Sequence, residues 1–353
     1  MTDNLKSLAS ILHLSRRRFL VFIALFVVLS AAVPYAIYSE IGGAPPSLDE
    51  RWLSWPFLSA CIALLLLYFG SDGLRLFYTL RALGRKVPFR DLTPLVFINI
   101  LVSNLTPLAT GGGFAQIWYL RREGVHVGVA TAATTLRTLQ AVGFIFIPTP
   151  FLLLLMPSLQ DNPLAEGAAI YLALFAAVYL ACFAIILLRM NWLMAAVDAI
   201  LCRLGRFHLV EQKRLRRWHF GVRREMIRFS RAARAFFSGS RSDMLLALFF
   251  TGLFLLTMFS FPALLLWGLG YHIGYLTSVG LLVVTTFIMY FSPTPGAAGI
   301  AEGVFGLFFV GLVGPDDLLL TIIAWRFLTI YLGMLIGVPV TLYVVLAKGA
   351  DNA

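Results

Sequence analysis

Of the 353 residues, 60% are hydrophobic and only 13% are charged, and the mean hydropathy is +0.87. A soluble globular chain carries about twice that share of charge, so a water-soluble fold is excluded and lipid is the solvent that accommodates the apolar surface. The formal net charge is +11, but residues 189–241 hold 13 Lys or Arg against 3 Asp or Glu; basic residues beside apolar spans mark cytoplasmic loops rather than a nucleic-acid surface.

In chain order, the first apolar run is Phe19–Ile37. It follows Arg16, Arg17 and Arg18 like a signal peptide, but no small-residue cleavage site follows it, so it reads as a span. Further spans are expected over Leu53–Gly70, Val127–Met156, Gly167–Leu188, Met244–Gly268 and Leu318–Leu346, since about 20 apolar residues cross a bilayer. Two other apolar regions, Thr93–Tyr119 and Gly274–Val313, are interrupted by Pro and Gly, at Thr106–Gly113 and at Ser292–Gly299.

Loop charges orient the chain. Lys6 and Arg16 to Arg18 place the N-terminus in the cytoplasm, and Glu40, Asp49 and Glu50 place the next loop outside. Arg75, Arg81, Arg85, Lys86 and Arg90 read as a cytoplasmic return, and Arg121 and Arg122 bring the first broken region back to that side. The second broken region is flanked by Tyr271 and His272 and by Asp316 and Asp317, both outside, and Lys348 returns the C-terminus to the cytoplasm. The expected fold is all-α and polytopic, with six full spans and two re-entrant helical hairpins entering from opposite faces as an inverted repeat. Such paired interruptions accompany midplane binding sites in transporters. If each half-segment crossed fully, the chain would instead have ten spans, with the same placement of the termini.

We read 1–353 as one membrane domain with a basic insertion at 189–241. Within it Leu215, Trp218, Val222, Met226, Phe229, Ala233 and Phe236 recur at spacings of three and four, with arginines between them. That is a basic amphipathic helix, expected to lie on anionic headgroups or, alternatively, to pack on a second cytoplasmic helix near Trp192–Leu204.

No phosphate loop, H-E-x-x-H or G-x-S-x-G motif occurs. His13, His126, His208, His219 and His272 are scattered, as are Cys61, Cys182 and Cys202, so no metal, disulfide or other cofactor is expected and no catalytic role is assigned. The informative residues are charges deep in apolar segments: Arg137, Glu302 and Arg326. A central charge costs about 2.5–3.5 kcal/mol or more on insertion scales, so a partner is required, and Glu302 with Arg326 or Arg137 is the expected pairing. A buried structural ion pair is the plain alternative. Arginine also suits phosphate through its planar fork of donors, and the helix starts after the breaks could offer unpaired N–H groups. Asn99, Asn104, Thr106, Gln116, Thr134, Thr135 and Gln140 add polar surface, although isolated polar residues in spans more often join helices.

The segment from Thr106 to Gln116 resembles the signature T-P-x-x-x-G-G-x-x-x-Q of stand-alone relatives of the flippase-like membrane region of lysylphosphatidylglycerol synthases. Pro293 to Glu302 is similar to their P-x-P-G-x-x-G-x-x-E signature, and Trp325 to Tyr331 to their W-R-x-x-T-x-Y motif. The likeness runs over about 15–345. It implies a bacterial inner-membrane protein that translocates lipids, with a membrane lipid (an anionic phospholipid or a polyprenyl-linked or glycolipid headgroup) as partner. The synthases carry a soluble transferase domain after this region; here the chain ends at Ala353, so transferase activity is not carried over and a non-enzymatic protein is expected. The expected headgroup contacts are Glu302, Arg326, Arg137 and Gln116, with Gly111, Gly112, Gly113, Pro295, Gly296 and Gly299 providing close backbone approach. A lipid-modifying enzyme or enzyme subunit, and a scaffold recruiting partners through the basic segment, are the rival readings.

Overall fold

The computed structural model describes residues 49–155 and 212–347, together with 28 and several positions within 174–181. The expected span Phe19–Ile37, nearly all of Gly167–Leu188 and the Trp192–Leu204 segment lie outside the described residues. Among the described residues there is no β-strand, and four helices are long and apolar enough to cross a membrane: Trp55–Ala82, Val127–Leu154, Arg241–Gly268 and Pro315–Val345. The protein is an all-α membrane protein.

Helix α1 (Trp55–Ala82) starts on Pro56, whose fixed φ and missing N–H suit a first turn. Its 28 residues make about 42 Å of helix. The first broken region forms α2 (Phe89–Asn104), a short turn at Pro107–Ala109 and α3 (Thr110–Arg122). Then come α4 (Val127–Phe146) and, after Ile147, α5 (Pro148–Leu155). The amphipathic segment is α6 (Gln212–Ser238), followed by α7 (Arg241–Gly268). The second broken region forms α8 (Tyr275–Met289), a turn at Pro295–Ala297 and α9 (Ile300–Phe309). The last span is α10 (Pro315–Arg326), a π-turn at Phe327–Tyr331 and α11 (Leu332–Ala347).

Helices α1 and α7 run antiparallel along each other. Arg81 pairs with Asp243 at one end, Tyr78 stacks on Phe250 and Tyr68 on Phe254 between, and Phe57 crowds Gly268 at the other end. The two broken regions are hairpins with their mouths at opposite ends of this pair. In the first, Gln116 bonds Asn99 near the middle and the Tyr119 hydroxyl donates to the Asp91 carbonyl at the mouth; Phe89 at that mouth packs on Phe77 of α1. In the second, the Tyr271 hydroxyl accepts from the Gly314 N–H and donates to Asp317, which closes the mouth beside Leu269 and Arg51. The turns at the two tips touch each other. With 16, 13, 15 and 10 residues, none of the four half-helices reaches the roughly 30 Å of a hydrocarbon core, and each hairpin stops against the other.

Among the described residues two large apolar clusters are separated by a polar layer. On α1 one cluster ends at Tyr68 and the other begins at Leu76; on α4 the break falls between Leu136 and Ala141; on α7 it falls between Ala247 and Leu255. The buried polar residues in those intervals are Ser71, Asp72 and Arg75, then Arg137 and Gln140, then Thr251.

Two expectations are corrected. The span drawn as Leu53–Gly70 continues to Ala82, so Arg75 is a buried helix residue and not a cytoplasmic loop charge; Asp72 one turn earlier neutralises it and removes the reason to end the helix. The amphipathic helix is not simply laid on headgroups: Phe229, Ala232, Ala233 and Phe236 are buried in the protein's own core. Glu225 accepts from the Gly128 N–H, and a Cβ at Gly128 would lie 2.2 Å from the Glu225 carbonyl oxygen, so only a glycine lets α6 settle on the start of α4. Arg223, Arg224, Arg231 and Arg234 remain exposed on its other face.

Candidate functional site

The polar layer holds two guanidinium centres, one for each broken hairpin. In the first, α1 supplies Asp72 and Arg75, α2 supplies Asn99, α3 supplies Gln116 and α4 supplies Arg137. Arg137 Nη2 lies 2.5 and 2.6 Å from the two Asp72 carboxylate oxygens, and Arg75 Nη2 lies 2.6 Å from Asp72 Oδ1. Arg137 Nη1 donates to Gln116 Oε1 at 2.9 Å, and Gln116 Nε2 donates to Asn99 Oδ1 at 2.7 Å. The Arg75 guanidinium also lies 3.8 Å from the centre of the Phe254 ring, a cation–π contact that partly replaces its lost water. Asp72, Arg75, Arg137 and Gln116 are all buried.

The second centre is built on the second tip. Glu302 stands at the third position of α9, where its Oε2 accepts from the Gly299 N–H at 2.7 Å; a carboxylate there caps the helix and meets the positive end of its dipole. Its Oε1 lies 2.7 Å from Arg326 Nε, and Arg326 Nη2 donates to the Gly296 carbonyl at 2.7 Å. Arg326 is thus clasped to both ends of the Pro295–Gly299 break. Immediately after it the helix runs through the π-turn Phe327–Tyr331, a distortion that concentrates at functional positions. The Thr329 carbonyl in that turn accepts from the Tyr68 hydroxyl, one turn before Asp72, and so joins the two centres.

Both tips hold backbone in the left-handed region. Among the described residues the non-glycine positions with positive φ are Leu108, Ala109 and Ala297, all in the breaks, beside Gly296 at 59° and Gly299 at 89°. Each such non-glycine residue costs about 1–2 kcal/mol and persists only where neighbours over-determine it. Thr106 helps by accepting from the Gly111 N–H while its hydroxyl bonds the Val102 carbonyl.

Glu302 pairs with Arg326, while Arg137 pairs with Asp72. Asp72, absent from the deep charges read along the sequence, is a second buried carboxylate. Gly111 and Gly112 serve the hairpin itself, since a Cβ on either would come within 2.6 Å of Thr106 or 1.8 Å of Ser103; Gly113 faces open space. Pro295 is buried in the tip. Asp72 and Arg75 were legible as an i,i+3 pair of opposite charge in Ser71-Asp72-Gly73-Leu74-Arg75, because the apolar run resumes through Leu76 to Leu80.

A family model described as the lysylphosphatidylglycerol synthase TM region matches residues 16–337. The chain belongs to that family. Membership agrees with the resemblance carried by the two breaks and the Trp325–Tyr331 motif, and it places the chain among multi-pass membrane proteins of lipid modification or transport. No curated protein matches the chain. Within the family's matched region lie both hairpins and all seven charged or amide residues named in the two centres: Asp72, Arg75, Asn99, Gln116, Arg137, Glu302 and Arg326.

Proposed function

We propose that this protein moves an anionic lipid, or a lipid-linked anionic headgroup, between the leaflets of the bacterial inner membrane, with both termini cytoplasmic. The observation that carries the reading is the contact between two opposed hairpin tips flanked by buried arginines. Opposed tips form a thin partition between the two sides. Shifting one tip against the other would pass a headgroup across while its tails stay in lipid, in the manner of broken-helix transporters. Arg137, with Gln116, and Arg326, with Glu302, would contact the headgroup, and arginine's fork of donors fits its phosphate.

A non-enzymatic role fits the carboxylates better than catalysis does. Asp72 is held by two guanidiniums, and Glu302 by Arg326 and the Gly299 N–H. Neither is presented as a free acid or base, which a lipid-modifying reaction would need. The apolar face of the basic helix from Phe229 to Phe236 is used inside the molecule, which leaves a scaffold only the exposed arginines of the other face.

The test is reconstitution into vesicles carrying labelled phospholipids or polyprenyl phosphates. Leaflet exchange should exceed the protein-free rate for wild type and fall for Glu302→Gln/Arg326→Ala. If wild type, variant and empty vesicles exchange at one rate, the proposal is wrong; product formation from a soluble donor would favour the enzymatic reading.

A further inference from the structure

The two centres differ in charge. Glu302 and Arg326 cancel. Asp72, Arg75 and Arg137 do not: one carboxylate faces two guanidinium cations, which among the described residues leaves one positive charge in a buried layer. Asn99 and Gln116, the remaining polar members of the centre, are neutral, and the aromatic face over Arg75 carries only a quadrupole. A buried charge without a counter-ion is strongly unfavourable. The donors are not used up either: Arg75 Nε and Nη1 and Arg137 Nε are buried without hydrogen-bond partners. Arg75 is 7% exposed and Arg137 4%, so water does not freely serve them.

We infer that the Asp72–Arg75–Arg137 centre is the site where the headgroup's charge is taken up, and that it is matched to a single negative charge, a phosphodiester. The unused N–H groups would donate to its non-bridging oxygens. Asp72 acts as the counter-charge that sets the valence. A zwitterion adds no net charge and leaves the surplus in place. A phosphomonoester at pH 8, above its second pKa of about 6, brings two negative charges and overshoots to a net −1. The neutral Glu302–Arg326 clasp adds no net charge to this match: it holds the tip, and Arg326 Nη1, also without a partner, would contact the headgroup beside it. This deepens the transport reading and rests on it only for the identity of the ligand as a lipid.

The experiment is lipid retention by the purified full-length protein in detergent at pH 8, followed by native mass spectrometry. The probes share acyl chains and differ in headgroup: phosphatidylglycerol, phosphatidic acid and phosphatidylcholine, with the deacylated headgroup glycerophosphoglycerol as a soluble competitor. Wild type should retain phosphatidylglycerol roughly tenfold or more over the other two, the scale of one or more hydrogen bonds to a charged group. Asp72→Asn, which raises the centre to two positive charges, should shift the preference to phosphatidic acid. Arg75→Gln, which makes it neutral, should abolish the preference. Equal retention of all three by wild type, or an unchanged order in Asp72→Asn, overturns the inference. Where Asp72→Asn does not fold, Arg75→Gln decides: loss of preference supports it and a kept preference overturns it. Competition by glycerophosphoglycerol as strong as by the lipid overturns the lipid assignment. The headgroup order surviving without leaflet exchange would support this inference while defeating the transport reading, and exchange without any headgroup order would do the reverse.

Discussion

Arg137 donates through Nη1 to the side-chain oxygen of Gln116 at 2.9 Å. The relationship is the neutral counterpart of the Arg326–Glu302 ion pair. In each half an arginine eleven or twelve residues into the helix after the hairpin meets a polar residue on the hairpin's second arm. One arm carries an amide and the other a carboxylate, and that difference is what leaves the first centre positive.

Gln116→Glu should therefore cancel the surplus by giving Arg137 a second carboxylate. The variant is expected to fold, because the new side chain has the same length and keeps an acceptor for Arg137. Retention of phosphatidylglycerol should fall roughly tenfold, to the level of phosphatidylcholine, when measured by native mass spectrometry. Unchanged retention would mean that net charge does not govern the centre.

Arg326→Met leaves Glu302 buried without its cation, and breaking such a pair costs about 3–5 kcal/mol. Glu302→Gln/Arg326→Met removes both charges and keeps an oxygen to accept from Gly299. The double variant should recover most of the melting temperature lost by the single one in a thermal-shift assay in detergent. Leaflet exchange should stay impaired in both. Recovery of exchange along with stability would reduce the pair to a structural role.

The three consecutive glycines of the first tip should behave differently. Gly113→Ala meets open space and should leave stability and exchange unchanged. Gly111→Ala and Gly112→Ala would drive a methyl group into Thr106 and Val102, or into Ser103 and Asn99, at a cost of about 1–3 kcal/mol for overpacking. Melting curves of the three single variants separate this from the reading in which all three glycines make room for ligand.

Gly128→Val should detach the basic helix. The added side chain meets the Glu225 carbonyl oxygen and the backbone of Phe229, which has no flexible end that can yield. Limited proteolysis in detergent should cut between Gln212 and Ser238 several-fold faster than in wild type, with the remaining spans intact. If cleavage is unchanged, α6 is held by contacts other than this seam.

Much of the architecture could be read along the chain. The two breaks were visible because Pro and Gly interrupt apolar runs at Thr106–Gly113 and Ser292–Gly299, and the amphipathic helix because its apolar positions keep helical spacing over Met226 to Phe236. Arg75 was misplaced and Asp72 passed over because a hydropathy reading treats charge as the end of a span, whereas a carboxylate and a guanidinium one turn apart form an ion pair inside a continuing helix. The basic helix was read as membrane-facing because amphipathicity reports that a face is buried and says nothing about what buries it.

The amino-acid sequence by itself determined that this is a multi-pass membrane protein, in which stretches its four described long helices lie, though not where the first of them ends, and where two of its apolar regions fail to continue as one helix. Those properties follow from local composition and from the backbone limits of Pro and Gly. The tertiary structure decided which carboxylate meets which arginine: Arg137 reaches Asp72 across 65 positions of chain, while Glu302 turns to cap its own helix and hold Arg326. It also decided that the two tips meet. Partner choice in the polar layer depends on how far each hairpin inserts and how each helix is rotated about its axis, and both are set by packing between segments that are distant in sequence.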